Sequence, residues 1–398
     1  MFRPAIQRLR VLLFMALFCA TMVFTSIYFT TEDIKDGYDY KIEAARYMEK
    51  AMSKLKKFTT NEGKVVDSSY DPLKTGLVFF KDGLEGNLDS KLTTLNPNFA
   101  ALIVDFFLDA GLKKGDHIAV AFTGSMPGAN IAVLSACEAM GIIPTITTSI
   151  SASNWGACDY SKFSWLDFEM ILSELFKYSR SKAASIGKGR DIGIGLSEDD
   201  INQIIISSKR NNIDLIYNKN KNLDFHINEK MNIYDQDFSN TKLFVNVGGG
   251  VASIGWYPGI KKITGFLSVD SLNILADKKL IHDCIMTRFS NRPNNSVPSL
   301  NIIDIENLVK GYLPMITLQK EGGEGVSFKP ITGQGILFSE KKYNMLIVIP
   351  CLIASLALVL GVGLYSHFQI KKRMTAYEPE KNPEILYPLN FSIRVLFF

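Results

Sequence analysis

Residues 117–148 read HIAVAFTGSMPGANIAVLSACEAMGIIPTITT. Two apolar runs flank a turn built from Gly, Ser, Pro and Gly. The run over 117–122 is short, uncharged and bounded by the turn, which predicts a buried strand. Pro127 stands at the first turn of the next apolar segment and Gly141 just past its end, which predicts a helix over 127–140. Ile and Thr dominate 142–148, a second strand. Strand, helix and strand in this rhythm imply parallel pairing through a right-handed crossover.

The rhythm extends outward from that unit. Upstream, 99–110 reads as a helix stopped by Gly111. Downstream, 165–177 is a helix candidate, and Ser197 three residues before Asp200 resembles a helix-start cap ahead of 201–209. Strands are predicted over 214–217, 242–247 and 299–303, with helices over 278–289 and 304–312. The expected fold is α/β, a mostly parallel sheet with helices on both faces, Rossmann-like and three-layered, spanning 95–315. Ahead of it, Ile42, Ala45, Met48, Met52 and Leu55 form a helical stripe, read as a stalk or surface helix. With the Gly-, Asp- and Asn-rich stretch that follows, it makes a stalk and irregular segment over 30–94.

Two uncharged apolar runs flank the whole. Residues 11–29 read VLLFMALFCATMVFTSIYF, and residues 345–368 read MLIVIPCLIASLALVLGVGLYSHF. Each reaches the roughly 20 residues a helix needs to cross a hydrocarbon core. Arg3, Arg8 and Arg10 precede the first, Glu32, Asp33 and Asp36 follow it, and Lys371, Lys372 and Arg373 follow the second. The bias of cations toward the cytoplasm places both ends, 1–10 and 369–398, in the cytoplasm and the central domain on the far side. A cleaved signal peptide would show a small-residue exit, and none is visible after the first run. Residues 316–344 read as a connector.

Among 398 residues, five are cysteine, and the net charge is +4. Cys137, Cys158 and Cys284 lie outside the apolar runs at irregular spacing, so no disulfide framework or zinc pattern is implied. The charge is too slight for a nucleic-acid partner. No metal and no cofactor is expected.

In open α/β sheets, ligands collect beyond the carboxyl ends of the strands. Three such ends carry small polar residues: Thr123, Gly124, Ser125 and Gly128; Ser151, Ser153 and Asn154; and Asn246, Gly248, Gly249, Gly250 and Ser253. If the strands are neighbours, these loops line one crevice. Bare backbone there suits a carboxylate or phosphate. Any one of these loops also reads as an ordinary tight turn. Ser125 sits between strand and helix as a nucleophile does in a G-x-S-x-G elbow, but Gly124 directly precedes it, so the spacing differs. As bases for it, His367 lies at the membrane edge and His117 at the opposite end of the strand, while His226 and His282 remain and read rather as surface or packed residues. Asp167 and Glu169, two apart on a helix, point to different faces. Arg180, Lys182, Lys188 and Arg190 form a cationic cluster, read as solvated surface or as a track for a polyanion.

Two resemblances follow from longer stretches. AGLKKGDHIAVAFTGSMPGANIAVLSACEAMGIIPTI resembles the opening of an adenylate-forming ligase domain, but the phosphate-binding run ending in Pro-Lys is missing, so only local architecture is shared. TGSMPGANIAVLSACEAMG, SISASNWGACDYSKFSWLDFEMIL, RSKAASIGKGRDIGIGLSEDD and FVNVGGGVASIG, in that order and spacing, resemble the bacterial poly-gamma-glutamate system protein family. With the first apolar run, the likeness covers most of 10–315. The tail ending RVLFF has no counterpart in it. The resemblance implies a membrane-anchored accessory protein of poly-gamma-glutamate capsule synthesis, export or surface retention in the bacterial cytoplasmic membrane. Its implied partners are the polymer or its growing end, the membrane-bound synthase and export subunits, and the lipid bilayer. The residues leave two mechanisms open: a binding module that holds an anionic group at the strand-end loops, or a serine hydrolase or amide transferase with Ser125 as catalytic nucleophile.

Overall fold

A computed structural model describes residues 4–256, 259–278, 282–293, 295–316, 333 and 335–376. In chain order the elements are helix α1 (Leu9–Tyr28), strand β1 (Thr30–Ile34), and helices α2 (Tyr38–Asn61), α3 (Leu88–Thr94) and α4 (Asn98–Asp109). Next come β2 (His117–Thr123), α5 (Pro127–Met140), β3 (Ile143–Ser149), α6 (Trp165–Leu172), β4 (Ala183–Ser185), α7 (Glu198–Arg210), β5 (Asp214–Ile216) and α8 (Leu223–Tyr234). They are followed by β6 (Thr241–Val247), α9 (Val251–Ile254), β7 (Gly265–Leu267), α10 (Val269–Asp277), α11 (Ile285–Ser290), β8 (Ser299–Ile302) and α12 (Ile305–Val309). Strand β9 (Ser339–Tyr343) and helix α13 (Met345–Thr375) complete the order. The contacts divide the chain into two units, Met1–Asp33 with Lys341–Phe398, and Ile34–Glu340.

In the first unit, α1 and α13 are each long and apolar enough to cross a membrane, and the apolar stretch of neither is buried. They run antiparallel. The Ala5 amide donates to Gln369 Oε1 (3.1 Å) and the Ile6 amide to Ser366 Oγ (2.8 Å), so the start of α1 lies beside the last turns of α13. Arg8 and Arg10 therefore share one end of the pair with Lys371, Lys372 and Arg373. At the other end Lys342 lies 3.4 Å from Asp33. The tail ending RVLFF and most of the expected connector lie outside the described residues.

In the second unit, seven strands form one sheet in the order β5-β4-β3-β2-β6-β8-β7. All neighbours are parallel except β7, which runs antiparallel to β8 at the edge. The quoted stretch forms its centre. Ile118, Val120 and Phe122 of β2 pack into one apolar cluster with α2, α4, α5 and α6. Ala119 and Ala121 face the other, with Tyr234 of α8 and Phe289 of α11. The alanines leave room for Tyr234, whose hydroxyl donates to the Val120 carbonyl (2.9 Å) and lies 2.6 Å from Thr147 Oγ1. A one-residue slip of β2 would send its three large side chains into the face Tyr234 occupies. At about 1.5–3 kcal/mol for each buried apolar side chain, the register is strongly set.

The local start and stop signals operate as chemistry predicts. Pro127 opens α5, and Gly141 closes it with φ +66°. Ser164 and Ser197 accept the Asp167 and Asp200 amides at the starts of α6 and α7. Asp167 and Glu169 do part company. Asp167 takes the Arg210 guanidinium at 2.7 Å, and Glu169 is buried among Trp165, Thr148 and Ser181, where burial pushes its carboxyl up to about 7. The helix expected over 278–289 is instead α10, ending at Asp277, and α11, beginning at Ile285; residues 279–281 lie outside the described residues.

The expected stalk is corrected. Helix α2 buries Ala44, Ala45, Met48, Ala51, Met52 and Leu55 against α4 and α5, so it belongs to the core of this unit. Lys41, wholly buried on the same helix, pairs with Asp105 of α4 at 2.6 Å and donates to the Leu337 carbonyl.

Close packing explains one glycine of the turn after β2. A Cβ on Gly128 would lie 2.7 Å from the Thr94 backbone and hydroxyl at the end of α3. Gly to Ala inside an exposed helix gains about 1 kcal/mol, but overpacking of this kind costs about 1–3 kcal/mol. Gly128→Ala should therefore lower the urea midpoint of unfolding. A higher midpoint would mean that α3 moves aside freely.

Candidate functional site

The strand order reverses beside β2. Strands β3, β4 and β5 extend to one side of it, and β6 and β8 to the other. Helix α5 leaves β2 toward one face of the sheet, and α9 leaves β6 toward the opposite face. The loops after these two strands therefore part, and a crevice opens between them. Its volume is about 1000 Å³.

The loops expected to meet do meet there. Thr123 and Ser125, Ser151 and Ser153, and Gly248, Gly249 and Gly250 all line this crevice. The other five expected residues frame it from outside the lining. A Cβ on Gly124 would stand 2.3 Å from the Ile150 carbonyl oxygen, so that glycine lets the loops after β2 and β3 touch. Gly128 packs on α3. Asn154 Oδ1 accepts the Lys81 amide (2.9 Å), zipping its loop to residues 79–85. Asn246 Nδ2 donates to the Gly248 carbonyl (2.7 Å) and to Asn301 Oδ1 (2.7 Å), which holds the glycine run in place. Ser253 is buried in α9. Gly248 itself needs to be glycine twice over: φ is +87°, and a Cβ would meet Thr123 Cγ2 at 2.6 Å.

Several lining groups come from outside those loops. Lys91 of α3 is the most consequential. Asn87 caps that helix by accepting the Ser90 amide, and α3 packs against α5. The packing buries the Lys91 side chain and aims Nζ at the junction of two loops. Nζ donates to the Ser125 carbonyl oxygen and lies 2.9 Å from Ser153 Oγ. The Ser153 amide in turn donates to Ser125 Oγ (2.9 Å). No ion pair to Lys91 occurs among the described residues, and burial pushes its amine down to about 7.

The loop after β4 supplies a second wall. Lys188, Arg190 and Asp191 all hold positive φ, at 49°, 53° and 66°. Three non-glycine residues in that region in one loop store backbone strain of order 1–3 kcal/mol each, which the surroundings must hold in place. Asp191 is fixed from two sides. It accepts Ser185 Oγ at 2.8 Å and pairs with Lys230 of α8 at 2.6 Å, both partners of the pair being buried. Lys188, Lys261 and an exposed Trp256 line the mouth, and Glu85 lies on the rim.

None of the four histidines lines the crevice. Among the described residues no cluster of three or more His, Cys, Asp or Glu side chains is arranged for a metal. Cys137, Cys158 and Cys284 are buried free thiols.

The buried amine makes a pH prediction. In the unfolded chain Lys91 holds its proton up to about pH 10.5; in the folded protein it loses it near pH 7. Between those values the unfolded chain binds more protons, so the folded state gains stability as pH rises and loses it as pH falls. Lys91→Met removes that dependence. Its stability relative to the parent should rise as pH is lowered from 10 to 7 and level off below, as read from urea midpoints. No protein-family model, curated protein or solved structure matches the chain.

Proposed function

We propose that the chain is a membrane-anchored accessory protein of poly-gamma-glutamate synthesis, export or surface retention. Its second unit is a Rossmann-like, three-layer domain held outside the bacterial cytoplasmic membrane, and it binds an anionic group of the polymer, or its growing end, in the crevice. One observation supports this reading above the others. The four sequence blocks that resemble the poly-gamma-glutamate system family each contribute to a single crevice, through Thr123 and Ser125, Ser151 and Ser153, Lys188 and Asp191, and Gly248 to Val251. Lys188 and Lys261 add cations there, while the carboxylate of Asp191 is already paired with Lys230. The polymer repeats a carboxylate along its length, and a row of amines, hydroxyls and open backbone complements it.

The apolar pair α1 and α13 supports the anchoring. Both ends of the chain's cationic flanks gather at one end of the pair, as expected where both face the cytoplasm. The same helices are the surface offered to the bilayer and to the synthase and export subunits.

Two measurements test the reading. Titration calorimetry of the full chain in detergent with gamma-glutamyl oligomers should show binding that weakens with salt. Lys188→Glu and Lys261→Glu should each weaken it about fivefold, since an exposed ion pair contributes up to about 1 kcal/mol. Absence of binding would end the proposal. For the topology, Val65→Cys, an exposed site, should react with a membrane-impermeant maleimide on intact cells, and Met374→Cys only after lysis. The reverse pattern would place the domain in the cytosol.

A further inference from the structure

We propose that Ser153 and Lys91 form a nucleophile and base pair that cleaves or transfers an amide bond of the bound chain. The substrate class rests on the reading of the crevice as a gamma-glutamyl site; the pair itself rests on geometry alone.

A lysine buried without a carboxylate is costly, because desolvation of an ammonium is repaid only by a counter-charge. Lys91 is such a residue, with 5% of its surface exposed. Its nitrogen sits 2.9 Å from Ser153 Oγ, within the distance at which a base takes a proton from a hydroxyl. A neutral amine has two N–H groups and one lone pair. One N–H satisfies the Ser125 carbonyl oxygen, and the lone pair remains for the Ser153 proton. Ser153 is half-buried and opens into the crevice, so its oxygen is reachable.

The same contacts decide between the two serines. Ser125 meets Lys91 through its carbonyl oxygen, whereas Ser153 meets it through its hydroxyl. Ser125 Oγ accepts the Ser153 amide and keeps its own proton, which it can donate to an oxyanion forming beside Ser153. Ser153 is thus the nucleophile, Lys91 the base, and Ser125 the oxyanion donor. Serine with lysine in place of histidine is an arrangement the chemistry allows.

The steps balance. Ser153 Oγ attacks the amide carbonyl carbon as its proton passes to neutral Lys91. The C–N bond breaks, and the Lys91 ammonium gives that proton to the departing amine. Water then attacks the acyl-Ser153 ester while Lys91 takes a proton from it. The ester C–O bond breaks, and Ser153 recovers its proton from Lys91. An amine in place of water gives transfer to an acceptor instead.

The protonation state fits the task. Lys91 is half deprotonated near pH 7. Cys158 would oppose the loss of that proton only as a thiolate, and burial keeps it a neutral thiol, pushed up to about 11. Lys188, Lys261, Glu85 and Asp191 line the same crevice.

The test uses the full chain in detergent with 4-nitrophenyl acetate, read by the nitrophenolate burst and by mass spectrometry of the acetylated peptide. The parent should take one acetyl group on Ser153, at a rate that rises through pH 7 and then levels. Ser153→Ala should lose that label. Lys91→Arg keeps a donor for the Ser125 carbonyl but cannot accept a proton, and it should react at least about a hundredfold more slowly, with no step at pH 7. Ser125→Ala should still be labelled on Ser153, more slowly. Acetylation of Ser125 or of Lys91 Nζ, or a Lys91→Arg variant that reacts like the parent, would overturn the pair. Calorimetry with gamma-glutamyl oligomers separates the two proposals. Oligomer binding without acylation overturns the pair alone, and acylation of Ser153 without oligomer binding overturns the substrate class alone.

Discussion

Neighbouring parallel strands part their loops to opposite faces where the strand order reverses, and this chain reverses beside β2. Everything at the site follows from that constraint. The reversal parts the loops after β2 and β6 and leaves a trough between them. Small residues at the strand ends keep the trough open, because a larger side chain at Gly248 would collide with Thr123. Alanines on one face of β2 and large aliphatic residues on the other hold the central strand in register, and with it the position of Ser125.

Charges are buried with unusual freedom around this trough. Lys230 and Asp191 are taken out of water together, so each offsets the other. Away from the trough, Lys41 of α2 is buried against the partly buried Asp105 of α4. Lys91 differs in having hydroxyl and carbonyl oxygens but no carboxylate, and its amine loses proton affinity as the physics requires.

Much of the fold was legible because its signals are local. Pro127 and Gly141 mark the ends of α5, and the serines at 164 and 197 mark the starts of α6 and α7. The crevice loops were legible too, since hydroxyls and glycines gathered just past apolar runs. What escaped was tertiary. The apolar stripe of α2 looks the same whether it covers a core or a stalk, and only its partners α4 and α5 decide. Strand β4 is too short to show a period. Gly124 and Gly128 read as openings for a ligand, yet the backbones that approach them belong to this chain. Lys91 lies in a short helix within a Gly- and Asp-rich stretch, far along the chain from Ser125 and Ser153, and nothing in its neighbours announces its burial.

The second unit is inserted whole between α1 and α13, so it is attached at both ends. With α1 and α13 anchored as proposed, it would resist shedding: a protease that severs one attachment leaves the other holding. Release would then take two cuts, one on each side, and a chain nicked once would stay where its apolar helices sit.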